Sequence, residues 1–238
     1  ALTPDCHAEP SDSITTATND TPADNSPVNQ KLTMIYEFRT YDLFPGNMPE
    51  YTSILTHSLA AGRLDHSDLF AYLYTDFGPL NQALHIWPYE NLEERVAIRE
   101  KTTGITGWPP PTADLLAAQS AEIYFPAPFN DTSITGAQGP FYELRTYTYA
   151  TGDTPKVIDV WGKAIDERKK LSPFIGAWYT ELGGLNKWAH LWAYSSLEER
   201  TRVRKEAVER GIWPPKDAPK ARTQENKLFL PFSFSPLS

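Results

Sequence analysis

Along Tyr36-Glu37-Phe38-Arg39-Thr40-Tyr41 every second residue changes character, with Tyr36, Phe38 and Thr40 on one side and Glu37, Arg39 and Tyr41 on the other. A period of two predicts a strand, because successive side chains leave opposite faces of the pleat. A second alternating run sets Leu84 and Ile86 against His85, Trp87 and Tyr89. Between them, Pro49 stands where a first helical turn tolerates proline and opens a helix that runs to about Leu64. Phe70 to Thr75 reads as a further strand, leading through Gly78-Pro79 into the His85 strand as a hairpin would. Asn91 with Glu94 three residues on is a capping box for a second helix, and Trp108-Pro109-Pro110 redirects the chain toward a last strand near Glu122 to Phe125. The predicted order is βαββαβ, the ferredoxin-like split pattern.

The whole series then recurs. Tyr142-Glu143-Leu144-Arg145-Thr146-Tyr147 repeats the first strand 106 positions later, and Leu185-Asn186, His190-Leu191-Trp192-Ala193-Tyr194, Leu197-Glu198-Glu199-Arg200 and Trp213-Pro214-Pro215 repeat the later blocks at 105. Pro155 opens the matching helix to about Leu171, Ile175 to Thr180 and Lys227 to Leu230 give the matching strands, and Ser196 with Glu199 gives the matching cap. Several separated blocks in one register indicate an internal duplication. The reading is therefore an α+β chain with two tandem ferredoxin-like domains, residues 33–130 and 139–238, joined by the turn-rich stretch around Asn130 to Gly136. Residues 1–32, rich in Ser, Thr, Pro, Asp and Asn without hydrophobic period, read as a flexible tail.

A four-stranded sheet with both helices on one face leaves its other face open, and two such sheets can cover each other. The apolar face, with Tyr36, Phe38, Leu84 and Ile86, is assigned to the helices. The polar face is then expected inside a shared barrel, with Glu37, Arg39 and His85 beside Glu143, Arg145 and His190 as candidate catalytic groups. Tyr41, Trp87, Tyr89, Tyr147, Trp192 and Tyr194 are candidates for stacking an aromatic ligand. Histidine in an enclosed polar site suits proton transfer near neutral pH, and the arginine fork suits a carboxylate or phenolate. Each group also has a purely structural use: buried histidine bonded across the barrel, Glu paired with Arg, rings filling a core, and Trp108 and Trp213 as plugs. The Glu93-Glu94-Arg95 and Glu198-Glu199-Arg200 runs read as solvated helix caps, and Arg200 to Lys205 as a helix surface.

The blocks Tyr-Glu-x-Arg-Thr-Tyr, Leu-Asn-x-x-x-His-x-Trp-x-Tyr-x-x-Leu-Glu-x-Arg and Trp-Pro-Pro resemble the NIPSNAP family, over Met34 to about Phe234. The resemblance implies the dimeric α/β-barrel type of fold, with facing sheets. It implies less about activity. The wider superfamily holds cofactor-independent monooxygenases, polyketide cyclases, lactone isomerases and haem-handling enzymes, whereas mitochondrial NIPSNAP proteins are discussed in interaction and signalling roles. The expectation is a small-molecule-binding barrel performing metal-independent proton transfer on an aromatic or polyketide-like substrate. The alternatives are a non-catalytic scaffold and a haem-binding protein. A homo-oligomer is expected.

Composition narrows the partners. The chain has 238 residues and formal charge -8, with 22 basic against 30 acidic residues, so nucleic acid, which needs a positive surface, is disfavoured. No stretch approaches the roughly 20 apolar residues that span a bilayer. Cys6 alone allows no internal disulfide, and neither paired Cys nor His-Glu-x-x-His spacing points to a metal. No cofactor is expected beyond the haem alternative. Asp5, Glu9, Asp12, Asp20 and Asp24 argue against a transit peptide, favouring the cytoplasm, with a processed organellar or secreted form left open because the chain does not begin with Met. Asn19-Asp20-Thr21 and Asn130-Asp131-Thr132 fit glycosylation acceptors, a pattern common by chance.

Overall fold

A computed structural model describes residues 34–238; the tail reading and the first glycosylation triplet lie outside the described residues. Copy one runs β1 (Ile35–Leu43), α1 (Met48–Ala60), β2 (Ala71–Phe77), β3 (Gln82–Tyr89), α2 (Leu92–Thr102) and β4 (Leu116–Pro126). Copy two runs β5 (Phe141–Thr148), α3 (Thr154–Lys169), β6 (Phe174–Leu182), β7 (Lys187–Tyr194), α4 (Leu197–Glu209) and β8 (Thr223–Pro231). The N-cap half of both capping boxes forms, Asn91 Oδ1 accepting from the Glu94 amide at 2.8 Å and Ser196 Oγ from the Glu199 amide at 3.1 Å. The Glu94 and Glu199 carboxylates accept instead from the amides of Glu90 and Ser195, one residue before the cap. Each copy has the sheet order expected of the ferredoxin-like pattern, β4-β1-β3-β2 and β8-β5-β7-β6.

The edges decide the architecture. β2 pairs with β8 and β6 with β4, all antiparallel, so the two sheets close one eight-stranded barrel within a single chain. Closure leaves neither sheet with an open edge. β4 and β8, longer than the pattern predicted, each join their own copy to the other. The segments after them complete the exchange. Ala127 and Phe129 pack in the helix layer of copy two, while Phe232 and Phe234 pack in that of copy one. Asn130 is part of this clasp, its side chain bonding the Ala177 backbone at both N–H and C=O, so its amide is occupied structurally.

The strand faces are the reverse of the sequence expectation. Tyr36, Phe38, Leu84 and Ile86 meet Tyr142, Leu144, Leu191, Trp178 and Phe229 in one cluster containing residues of both copies, which fills the barrel interior. Trp178 reaches across to Tyr36 and Phe38 with ring centroids 5.6 and 5.2 Å away. Its ring lies over Gly176, where an added Cβ would sit 2.6 Å from the indole. The Glu37, Arg39 and His85 face, with its copy-two equivalent, looks outward beneath the helices. The physical reason is room and charge. An eight-stranded barrel is just wide enough for its own side chains, and an apolar interior cannot take charged groups without heavy desolvation cost. The helix layer can, because α2 and α4 bring arginines to it. Among the described residues, no helix is long and apolar enough to cross a membrane.

Candidate functional site

The twelve candidate residues separate by copy. Glu37, Arg39, Tyr41, His85, Trp87 and Tyr89 line a cavity of about 150 Å³ in copy one. Glu143, Arg145, Tyr147, His190, Trp192 and Tyr194 line one of about 230 Å³ in copy two. The shared barrel site anticipated from alternation is therefore replaced by two separate pockets, each between the outer sheet face and its helices.

Register sets the layout. β1 and β3 place Arg39 opposite His85 and Glu37 opposite Trp87; β5 and β7 place Arg145 opposite His190 and Glu143 opposite Trp192. Glutamate and histidine are thus diagonal neighbours on one face, about 7–8 Å apart at the backbone. Glu37 and Glu143 are fully buried. Glu37 Oε1 accepts from Arg39 at 2.8 Å and from Arg95 at 2.6 Å. Glu143 Oε1 accepts from Arg145 at 3.1 Å and from Arg200 at 2.5 Å. Burial alone would raise both carboxyls, but the arginine bonds and charges win and hold them below the usual carboxylate range.

The imidazoles are fixed by their neighbours. Trp87 Nε1 donates to His85 Nδ1 at 2.6 Å and Trp192 Nε1 to His190 Nδ1 at 2.7 Å. An indole nitrogen can only donate, so Nδ1 is the acceptor and the neutral ring carries its proton on Nε2. Burial, then the charges of Arg39, Arg63 and Arg99, push the His85 pKa well below its ordinary value. Burial and Arg145, Arg168 and Arg204 do the same for His190. Burial and charge thus favour the neutral ring in each pocket, with its Nε2–H unpartnered.

Four arginines gather at each pocket. In copy one Arg39, Arg63 and Arg99 line the pocket and Arg95 reaches it through Glu37. In copy two Arg145, Arg168 and Arg204 line it and Arg200 reaches it through Glu143. Arg63 and Arg168 are buried, stacking 4.1 Å over Trp87 and Trp192 respectively. Apart from Arg39 and Arg145, these arginines were missed in the sequence reading, where Arg95 and Arg200 pass for solvated caps and Arg204 for helix surface. The signal was available: arginine recurs at i and i+4 in both copies, Arg95 with Arg99 and Arg200 with Arg204, on one helix face. Trp108 and Trp213, expected to be plugs, are part of the pocket linings.

With this geometry in place, known proteins can be compared. The NIPSNAP sequence profile matches residues 36–131 and again 142–236. The chain belongs to the NIPSNAP family. It is 29% identical over 206 residues to a NipSnap homologue of Dictyostelium discoideum, covering 84% of this chain and 88% of the relative. It is also 29% identical to human NipSnap homologue 3A over 218 residues, covering 86% of each. In fold it is similar to a Lactobacillus acidophilus protein provisionally described as a monooxygenase, with a TM-score of 0.65 at 12% identity, covering 87% of this chain and 97% of that one. At that identity the likeness shows the fold alone.

The two NIPSNAP copies support the same imidazole differently. In copy one Tyr72 of β2 stacks on His85 with centroids 4.6 Å apart and planes 3° apart, held by a 2.5 Å bond to Tyr51 of α1. In copy two the corresponding positions are Ala177 and Val157, and Trp161 of α3 covers His190 from the helix side, 4.6 Å away. One ring against the imidazole is kept, and the element that supplies it has changed.

Proposed function

We propose that this NIPSNAP protein binds one small organic oxyanion in each copy and promotes proton transfer on it, an enolisation of an aromatic or polyketide-like carbonyl compound needing no metal. One observation carries the reading. In each pocket the glutamate Oε2 and the histidine Nε2 are buried without a hydrogen-bond partner, on Glu37 and His85 (with Arg95 Nε beside them) and again on Glu143 and His190, where Arg204 stands 3.8 Å from Oε2. Such atoms are costly unless something pairs with them. An orphan acceptor and an orphan donor on one face, amid an excess of guanidinium charge, suit a substrate whose acidic hydrogen meets the carboxylate while its oxygen meets the N–H. The carboxylate Oε2 takes the proton from carbon beside the carbonyl. The electron pair moves onto the carbonyl oxygen, where Nε2–H and arginine hold the developing charge.

Haem ligation does not fit this donor set. An axial imidazole needs a free lone pair, and here the Nδ1 pair is taken by the indole while Nε2 carries the proton.

Phenylpyruvate, an aromatic keto acid with an enolisable methylene, provides the test. Calorimetric titration is expected to give two equivalents per chain, one after Arg39→Met or Arg145→Met, and none in the double variant. Protein-dependent deuterium exchange at the methylene should fall by about half in each single variant, since the pockets share no lining residue and act independently. Unchanged stoichiometry in the double variant would refute the reading.

A further inference from the structure

The copy-two pocket does not end at its arginines. Tyr147, Trp213, Pro214 and Gln224 are also walls of an adjoining cavity of about 500 Å³, whose other side is formed by Trp161, Tyr149, Lys220 and Ala221. At about 230 Å³ the inner pocket alone is smaller than the roughly 300–1,000 Å³ usual for ligand sites. With the adjoining chamber it falls within that range. Trp161, Trp213 and Ala221 give it an apolar side, while Asp217, Lys220 and Gln224 make the rest polar.

Copy one differs at four of these walls: Leu43 and Leu55 stand for Tyr149 and Trp161, and two further leucines close the path. Lys220 and Ala221 correspond, 105 positions earlier, to Leu115 and Leu116. Leu115 is buried and Leu116 packs against the same cluster, beside Leu43 of β1. Two leucyl side chains thus sit where copy two has an exposed lysine and a methyl group. Loop length is not the cause, since 16 residues separate Trp108 from Tyr124 and likewise Trp213 from Phe229.

We infer that the two sites are not equivalent, and that copy two takes the longer ligand: an organic carboxylate whose anionic head sits by Arg145 and His190 and whose aliphatic or aryl tail lies in the outer chamber between Trp161, Trp213 and Ala221. This rests on the oxyanion reading of the inner pocket and adds the tail. Copy one, with Leu115 and Leu116 in place of the chamber, takes only compact oxyanions that fit the inner pocket, phenylpyruvate among them. Each methylene buried in the chamber tightens binding about four-fold.

Straight-chain carboxylates from acetate to decanoate, titrated calorimetrically into the full chain, test it. The expected result is two weak equivalents with acetate and, as the chain lengthens, one equivalent that tightens while the other stays weak. Ala221→Leu installs the copy-one residue and should abolish the tightening while leaving acetate binding unchanged. Lys220→Leu, at an exposed position that tolerates substitution, should reduce it in the same direction. Acetate binding with no dependence on chain length, or a dependence that survives both substitutions, overturns this inference and leaves the inner site standing. Failure of every carboxylate to bind overturns both.

Discussion

Acidification from pH 7 to pH 5 is expected to remove folding stability, at most about 2 kcal/mol from each buried imidazole. Burial and three neighbouring arginines keep His85 and His190 neutral in the folded protein, whereas in the unfolded chain they protonate near their ordinary pKa of about 6.5. The unfolded state therefore binds more protons below that pH, and stability rises with pH through the window and is fully present above it. Glu37 and Glu143 act in a separate, lower window. Their folded pKa values are depressed, so the stability they contribute is present above the ordinary carboxylate range and is lost as pH falls below it. Urea unfolding at pH 7 and pH 5 reads the difference directly. A His85→Gln, His190→Gln variant should lose most of the pH slope, and an equal slope in that variant would show that other groups carry it.

The second large effect concerns the carboxylates. Glu37→Gln is expected to cost about 3 kcal/mol, because it leaves Arg39 and Arg95 clustered on a buried site without their counter-charge. That corresponds to roughly 6–12 °C in melting temperature for a unit of this size. Glu143→Gln should behave alike, since Arg145 and Arg200 meet its carboxylate in the same way. The two costs should add to within about 0.5 kcal/mol, the pockets being independent. Added small carboxylate should restore more stability to the variants than to the parent, as the surplus guanidinium charge then finds an anion. Thermal melts with and without acetate check both statements. A loss under about 1 kcal/mol would mean that the arginines relax into solvent and that the cluster is a surface feature.

Much of this was legible in the sequence, for identifiable reasons. Strand alternation, proline at helix starts and the Asn91 and Ser196 caps are local signals, and duplication tested each against its copy. The same alternation grouped Glu37, Arg39, Tyr41, His85, Trp87 and Tyr89 correctly on one face. It could not say which way that face looks, because a period of two defines two faces without naming the inner one. The deciding facts are non-local. Trp178 and Phe229 reach the barrel centre from the other copy's strands, and Arg95, Arg99, Arg200 and Arg204 come to the polar face from helices whose overall polarity suggested solvent. The exchanged ends, with Phe232 and Phe234 packing on copy one, likewise depend on barrel closure, which a strand pattern does not encode.

Both pockets depend on a neutral imidazole locked as an Nε2–H donor by a tryptophan. Long-range proton–nitrogen NMR of the histidine rings tests that most directly. The account predicts, for His85 and His190, Nε2-protonated neutral rings at pH 7 that gain a proton only below the ordinary imidazole range, with both ring N–H resonances shifting when phenylpyruvate is added. Imidazolium signals at pH 7, protonation on Nδ1, or N–H resonances indifferent to the anion would contradict it.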